Sequence, residues 1–161
     1  MINDLDYKKE LIDWFKQIYP SLNNPFAITL TKPNTHYSHQ SQIKHFMNKL
    51  NSSYLKSRYR RYGERLDVIA IKEGSKYKKT HFHLIISNPF LKRDKEFIRL
   101  INDCWNSVGG GKYNDVKKMY SFGYMEYISK LSSKSDIKDS IVYMDLNNNG
   151  VAGEEVILSD F

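Results

Sequence analysis

Two of the chain's five histidines, His81 and His83, flank one phenylalanine in KKTHFHLIIS, residues 78–87. The Leu84-Ile85-Ile86 run that follows marks a strand through a sheet interior. Side chains alternate faces along a strand, so the two imidazoles stand side by side while Phe82, Leu84 and Ile86 turn the other way. Two imidazoles aimed at one point can hold a metal ion. In the preceding stretch RLDVIAIKEGS, residues 65–75, Asp67, Ile69, Ile71 and Glu73 share a face. If the two stretches pair as an antiparallel hairpin centred on Tyr77, Glu73 falls opposite His81 on the same face. Two histidines and one carboxylate leave coordination positions open for water or a phosphate oxygen, as a catalytic divalent-ion site requires. Glu64 and Asp67 are weaker substitutes for the third ligand. The register is decisive, because a slip of one residue would turn Glu73 to the wrong face.

A second constellation lies in YMEYISKL. On a helix, Tyr127 and Lys130 are three apart and share a face, as do Tyr124 and Tyr127. Most of the 12 tyrosines are expected to be amphipathic packing residues. A tyrosine with a lysine one turn later is different. A phenol of pKa about 10 needs help to act as a nucleophile at neutral pH, and an ammonium can stabilise the phenolate or the phosphate it attacks. Tyr124 is the rival nucleophile, but three residues after it stands Tyr127 rather than a lysine. Two other motifs fall away. VGGGK has Asn106 and Tyr113 where a phosphate loop needs Gly and Ser or Thr. DLNNNG begins like a calcium loop, yet its twelfth position is Val156 rather than Glu.

The formal net charge of +7 points to an anionic partner. Eleven of the 25 Lys and Arg residues lie between positions 44 and 79, against three acids, Glu64, Asp67 and Glu73. Tyrosines alternate with these cations in SSYLKSRYRRYGER, the mixture that contacts phosphates and stacks on bases. Nucleic acid is the expected partner. No apolar run approaches the roughly 18 residues that span a membrane. MINDLDYKKE places acids where a signal peptide needs a basic and then an apolar segment, so secretion is not expected. Cys104 is the only cysteine, which excludes an internal disulfide and multi-cysteine metal sites and suits a reducing cytoplasm.

The elements that must position these residues follow in order. Residues 4–19 read as an amphipathic helix, 25–32 as a strand, 39–55 as a helix, and 65–75 and 80–87 as a strand pair. A helix over 93–108, a short strand near 113–119, a helix over 122–131 and a terminal strand or hairpin over 140–158 complete the chain. The central order is β-α-β-β-α-β, which predicts an α+β, ferredoxin-like antiparallel sheet with helices on one face and the tyrosines on a helix. Residues 1–161 read as one domain, with its core at about 26–131.

Three motifs now stand in a definite order: FAITLTK on a first strand, His-Phe-His on a later one, and Tyr-x-x-Lys on a helix. This resembles the HUH endonuclease superfamily, specifically the single-tyrosine rolling-circle replication initiators of small plasmids, phages and single-stranded DNA viruses. The resemblance covers residues 26 to 131. It implies that His81, His83 and Glu73 bind Mn²⁺ or Mg²⁺ and that Tyr127 is the nucleophile, assisted by Lys130. It further implies nicking and joining of single-stranded or hairpin origin DNA through a covalent 5′-phosphotyrosine link. Arg58, Arg60, Arg61, Lys78 and Lys79 would then hold DNA. No stretch of the chain could supply a helicase domain, so a host helicase is a further expected partner.

Within the same chemistry stand a relaxase and a single-tyrosine transposase. Relaxases gather three histidines, and His36, His39 and His45 lie far from the pair in sequence. A transposase would work as a dimer. From other classes come a non-catalytic nucleic-acid-binding module on the same fold and a regulator with a structural metal. The first predicts exposed aromatics on the central strands, where this chain has His and Glu. The second needs more ligands than are present.

Overall fold

A computed structural model describes residues 4–31, 33, 36–75, 78–131 and 141–146; within these, the side chains of residues 4–7, Ser75, Lys78, Lys130 and Leu131 lie outside the description. Five strands form one antiparallel sheet: β1 (Pro25–Thr31), β2 (Val68–Ser75), β3 (Lys78–Ser87), β4 (Asp115–Lys118) and β5 (Ile141–Asp145). Their spatial order is β4-β1-β3-β2-β5. The first four strands thus have the ferredoxin-like arrangement, and β5 extends the sheet beyond β2. The expected second half of a terminal hairpin, beyond residue 146, lies outside the described residues.

The crossover helices α2 (His39–Leu55) and α4 (Asp94–Ser107) lie together on one face. Alternation along the strands dictates this. Phe26, Ile28 and Leu30 of β1, Val68 and Ala70 of β2, and Phe82, Leu84 and Ile86 of β3 are buried against Phe46, Met47, Leu50, Phe97, Ile101 and Trp105. Each large side chain there contributes about 1.5–3 kcal/mol of transfer free energy. Ser38 caps α2, its hydroxyl accepting the Ser41 amide at 3.1 Å.

The opposite face is only partly covered. There α1 (Asp4–Ile18) and α5 (Gly123–Leu131) pack over the middle of the sheet, where Leu11, Phe15, Met125 and Ile128 meet Ile69, Ile71, Ile85 and Ile141. A short helix α3 (Ser57–Arg60), not foreseen from the sequence, follows α2. No helix among the described residues is long and apolar enough to cross a membrane.

The glycines of VGGGK have structural work here. Gly109 takes a left-handed φ of 88° after α4, and the Gly110 amide donates to the Trp105 carbonyl at 2.9 Å. A Cβ on Gly110 would come within 2.2 Å of the Trp105 indole. The Gly111 amide and the Trp105 indole N–H both donate to the Thr31 carbonyl, at 2.9 and 2.8 Å. The loop therefore fixes the end of β1 that borders the histidines.

Candidate active site

β3 pairs with β2 so that Glu73 lies opposite His81 and Ile71 opposite His83. On its other side β3 pairs with β1, setting Thr29 opposite His83 and Thr31 opposite His81. The expected hairpin register therefore holds, and Glu73 turns to the histidine face. The ladder shifts between Glu73 and Ser75, a bulge at Gly74, whose φ is 125°. A Cβ at Gly74 would sit 2.7 Å from the Thr80 Cα, so the close strand approach beside Glu73 requires glycine. Tyr77, the expected centre of the turn, lies outside the described residues.

Glu73 Oε2 meets both His81 Nε2 and His83 Nε2 at 2.5 Å. The ligand atoms of the three residues all fall within 4.8 Å of one another. His83 is buried, whereas Glu73 and His81 remain partly open to solvent. Burial drives the His83 imidazole below its ordinary pKa despite the Glu73 carboxylate, which keeps the ring neutral. Burial pushes Glu73 upward, but the hydrogen bond from His83 and the charge of His81 outweigh it, so the carboxyl is held below its usual range. Neutral imidazole beside ionised carboxylate is the protonation state that ligates a cation.

The far sides of the rings support the same conclusion. His81 Nδ1 faces the Lys79 carbonyl at 3.4 Å, and a carbonyl can only accept. His83 Nδ1 faces the Thr29 hydroxyl at 3.3 Å and the Tyr124 hydroxyl at 3.4 Å. The Tyr124 proton is engaged by the Ile28 carbonyl at 3.1 Å, so Tyr124 presents an oxygen lone pair to His83. Both Nδ1 atoms are thus set to carry the hydrogen. In a neutral ring that leaves the Nε2 lone pair pointing at Glu73. Two lone pairs directed at a carboxylate oxygen need a cation between them, so the donor set fits a divalent metal.

The two tyrosines are separated by depth. Tyr124 sits behind His83, and burial raises its phenol well above the ordinary value. Tyr127 is half exposed, with its ring centroid 6.2 Å from that of His83 and 6.4 Å from that of Tyr124. Lys130 occupies the last turn of α5, but its side chain lies outside the described residues.

The expected DNA contacts do not all gather here. Lys79 is exposed at the histidine end of β3, and the Lys78 side chain is outside the described residues. Arg58, Arg60 and Arg61 follow α2, at the end of the sheet where β2 begins. Five residues of β2, about 17 Å at the rise of a strand, separate Val68 from Glu73. Arg58 is paired with Glu64 at 2.6 Å, and Arg60 donates to the Ser52 hydroxyl at 3.0 Å. A run of cations in sequence has become a patch remote from the triad.

Sequence reasoning passed over the roles of Thr29 and Gly74 and the engagement of Tyr124 by a backbone carbonyl. The polar Thr29 on the histidine face of β1 and the glycine next to Glu73 were the available signals.

The family model for the replication-associated protein ORF2 matches residues 25–134, which is 110 of the 161 residues and includes the whole triad and both tyrosines. Comparison with curated proteins and with solved structures gave no significant match.

Proposed function

We propose that this chain, which belongs to the replication-associated protein ORF2 family, is a metal-dependent single-tyrosine HUH endonuclease that nicks and rejoins single-stranded origin DNA. The observation that carries this reading is the convergence of Glu73, His81 and His83 on one point, with a half-exposed tyrosine, Tyr127, beside His83.

Glu73, His81 and His83 would hold Mn²⁺ or Mg²⁺. When bound, such an ion polarises a non-bridging oxygen of the scissile phosphate and offsets its charge. The chain's own groups supply the rest. Thr29 and Tyr124 hold the His83 ring from behind, fixing which nitrogen faces the site. Tyr124 is a positioning residue in this scheme, because its hydroxyl is buried and engaged. Tyr127 is the nucleophile. Its phenol oxygen bonds to phosphorus as the bond from phosphorus to the 3′-oxygen breaks. The phenol proton passes to solvent and the departing 3′-oxygen takes one up. One phosphodiester is exchanged for another, so a later 3′-hydroxyl can reverse the step and join ends. Lys130, one turn after Tyr127, is assigned to the phosphate or the phenolate by its spacing alone.

The test is incubation with labelled single-stranded oligonucleotides carrying the origin of its own replicon, with Mn²⁺ or with chelator, followed by denaturing gels. A metal-dependent adduct lost in Tyr127→Phe and retained in Tyr124→Phe is the expected result. Loss only in Tyr124→Phe would move the nucleophile, and no adduct on a tightly bound cognate origin would overturn the assignment.

A further inference from the structure

β4 is an edge strand, paired only with β1. Tyr113 lies just before it and Tyr120 just after it. Each is 86% exposed, more than any other large hydrophobic or aromatic side chain among the described residues. Lys112, Lys117 and Lys118 accompany them, against the single acid Asp115 within residues 112–120. Their ion pairs are loose surface contacts, Lys117 to Asp115 at 3.3 Å and Lys118 to Asp94 at 3.9 Å. Lys118 also lies 6.0 Å over the Tyr120 ring.

The backbone under Tyr113 is tightly held. Its carbonyl accepts the Thr31 hydroxyl at 2.8 Å. The Asn114 carboxamide accepts the Thr31 amide at 2.9 Å and donates to the Gly111 carbonyl at 2.9 Å. Thr31 is the residue opposite His81. Tyr113 is therefore about two strand spacings, roughly 10 Å, from the triad. At the other end the Met119 amide donates to the Pro25 carbonyl at 2.8 Å, anchoring the segment that carries Tyr120. Two aromatic rings with nothing to pack against stand on fixed backbone, one near the triad and one about 20 Å along the edge.

We infer that the β4 edge is a track for single-stranded nucleic acid leaving the triad, with unpaired bases stacked on Tyr113 and Tyr120 and the backbone drawn along by Lys117 and Lys118. Exposed rings on rigid backbone lose little entropy when a flat partner stacks on them. Every base offers such a face, but only when it is unpaired, so the chemistry selects single strands over duplex. This inference rests on the proposed function for the identity of the strand, not for the binding surface itself.

The test is fluorescence anisotropy with a labelled oligothymidine in chelator, where no cleavage can occur, alongside a blunt duplex of equal length. Tyr113→Ala and Tyr120→Ala should each weaken single-strand binding by about 5- to 150-fold, the loss expected for one stacked base. Tyr113→Phe should restore binding, and duplex binding should not change. Lys117→Gln should flatten the slope of log affinity against log salt by about 0.7. Unchanged melting temperatures would exclude unfolding, because both rings are exposed. Alanine variants that bind single strands within twofold of the wild type would overturn the track, as would equal losses on duplex. A track that behaves as expected in a protein that forms no adduct would refute the nicking assignment alone.

Discussion

Replacing Glu73 by Gln tests the triad most directly, because one carboxylate oxygen meets both imidazoles. The substitution keeps the shape of the side chain and one oxygen acceptor, and removes a unit of negative charge. A unit charge pair about 4 Å apart at an effective dielectric near 20 is worth about 4 kcal/mol, and a divalent ion nominally doubles this. Partial solvent access to Glu73 and the remaining amide oxygen both reduce the effect. A loss of about 2–4 kcal/mol is expected, or ~30- to ~1000-fold in the Kd for Mn²⁺. Free Mn²⁺ can be followed by electron paramagnetic resonance during titration, with His81→Ala as a comparison that removes a ligand outright. The variant should melt as a folded protein, since the core on the α2 and α4 face is untouched. A Glu73→Gln protein that binds Mn²⁺ as tightly as the wild type would refute the triad as a metal site, whatever the enzyme then proved to do.

Two further substitutions probe the backbone that sets the triad. Gly74→Ala places a Cβ against the Thr80 backbone at a left-handed φ, so the bulge must open beside Glu73. Mn²⁺ affinity should fall about 10- to 100-fold, as when a ligand loses its supporting contacts, and unchanged affinity would show that the bulge does not set the ligand. Gly110→Ala drives a methyl group into the Trp105 indole and should cost about 1–3 kcal/mol in urea denaturation. An unaltered midpoint at constant m-value would mean that this contact can relax freely.

The sheet was legible because its strands carry two signals at once. Phe26, Ile28 and Leu30 alternate with Ala27, Thr29 and Thr31, and Phe82, Leu84 and Ile86 alternate with the histidines, so face and register follow from the period. Glu73 opposite His81 was legible for the same reason. The bulge at Gly74 leaves that pairing intact, since it falls between Glu73 and the turn. Less could be read from the basic stretch, where charge density gave no direction in space. α2 runs the length of the sheet and carries Arg58, Arg60 and Arg61 past its far end, away from the triad. The exposure of Tyr113 and Tyr120 was equally hidden, because a tyrosine's environment depends on whether a neighbouring strand or helix covers it. β4 is left at an edge by the topology, not by any property of DVKK itself.

Tyr124 and Tyr127 show where spacing on a helix stops being informative. Three residues apart, they lie on one face, and either hydroxyl could be aimed at a metal site by periodicity alone. What separates them is that α5 crosses the sheet with Met125 and Ile128 buried against Ile69, Ile71 and Ile85. That seating sends Tyr124 down between β1 and His83, where the Ile28 carbonyl takes its proton and burial disfavours its phenolate. Tyr127 is one turn further along and emerges into solvent over the same histidine. A nucleophile must reach a phosphate that arrives from solvent and must lose a proton on the way. Tyr124 meets neither condition, whereas its lone pair on His83 Nδ1 orients the ring that a metal would need. The two phenols thus divide the work, the inner one holding a ligand in place and the outer one left free to attack.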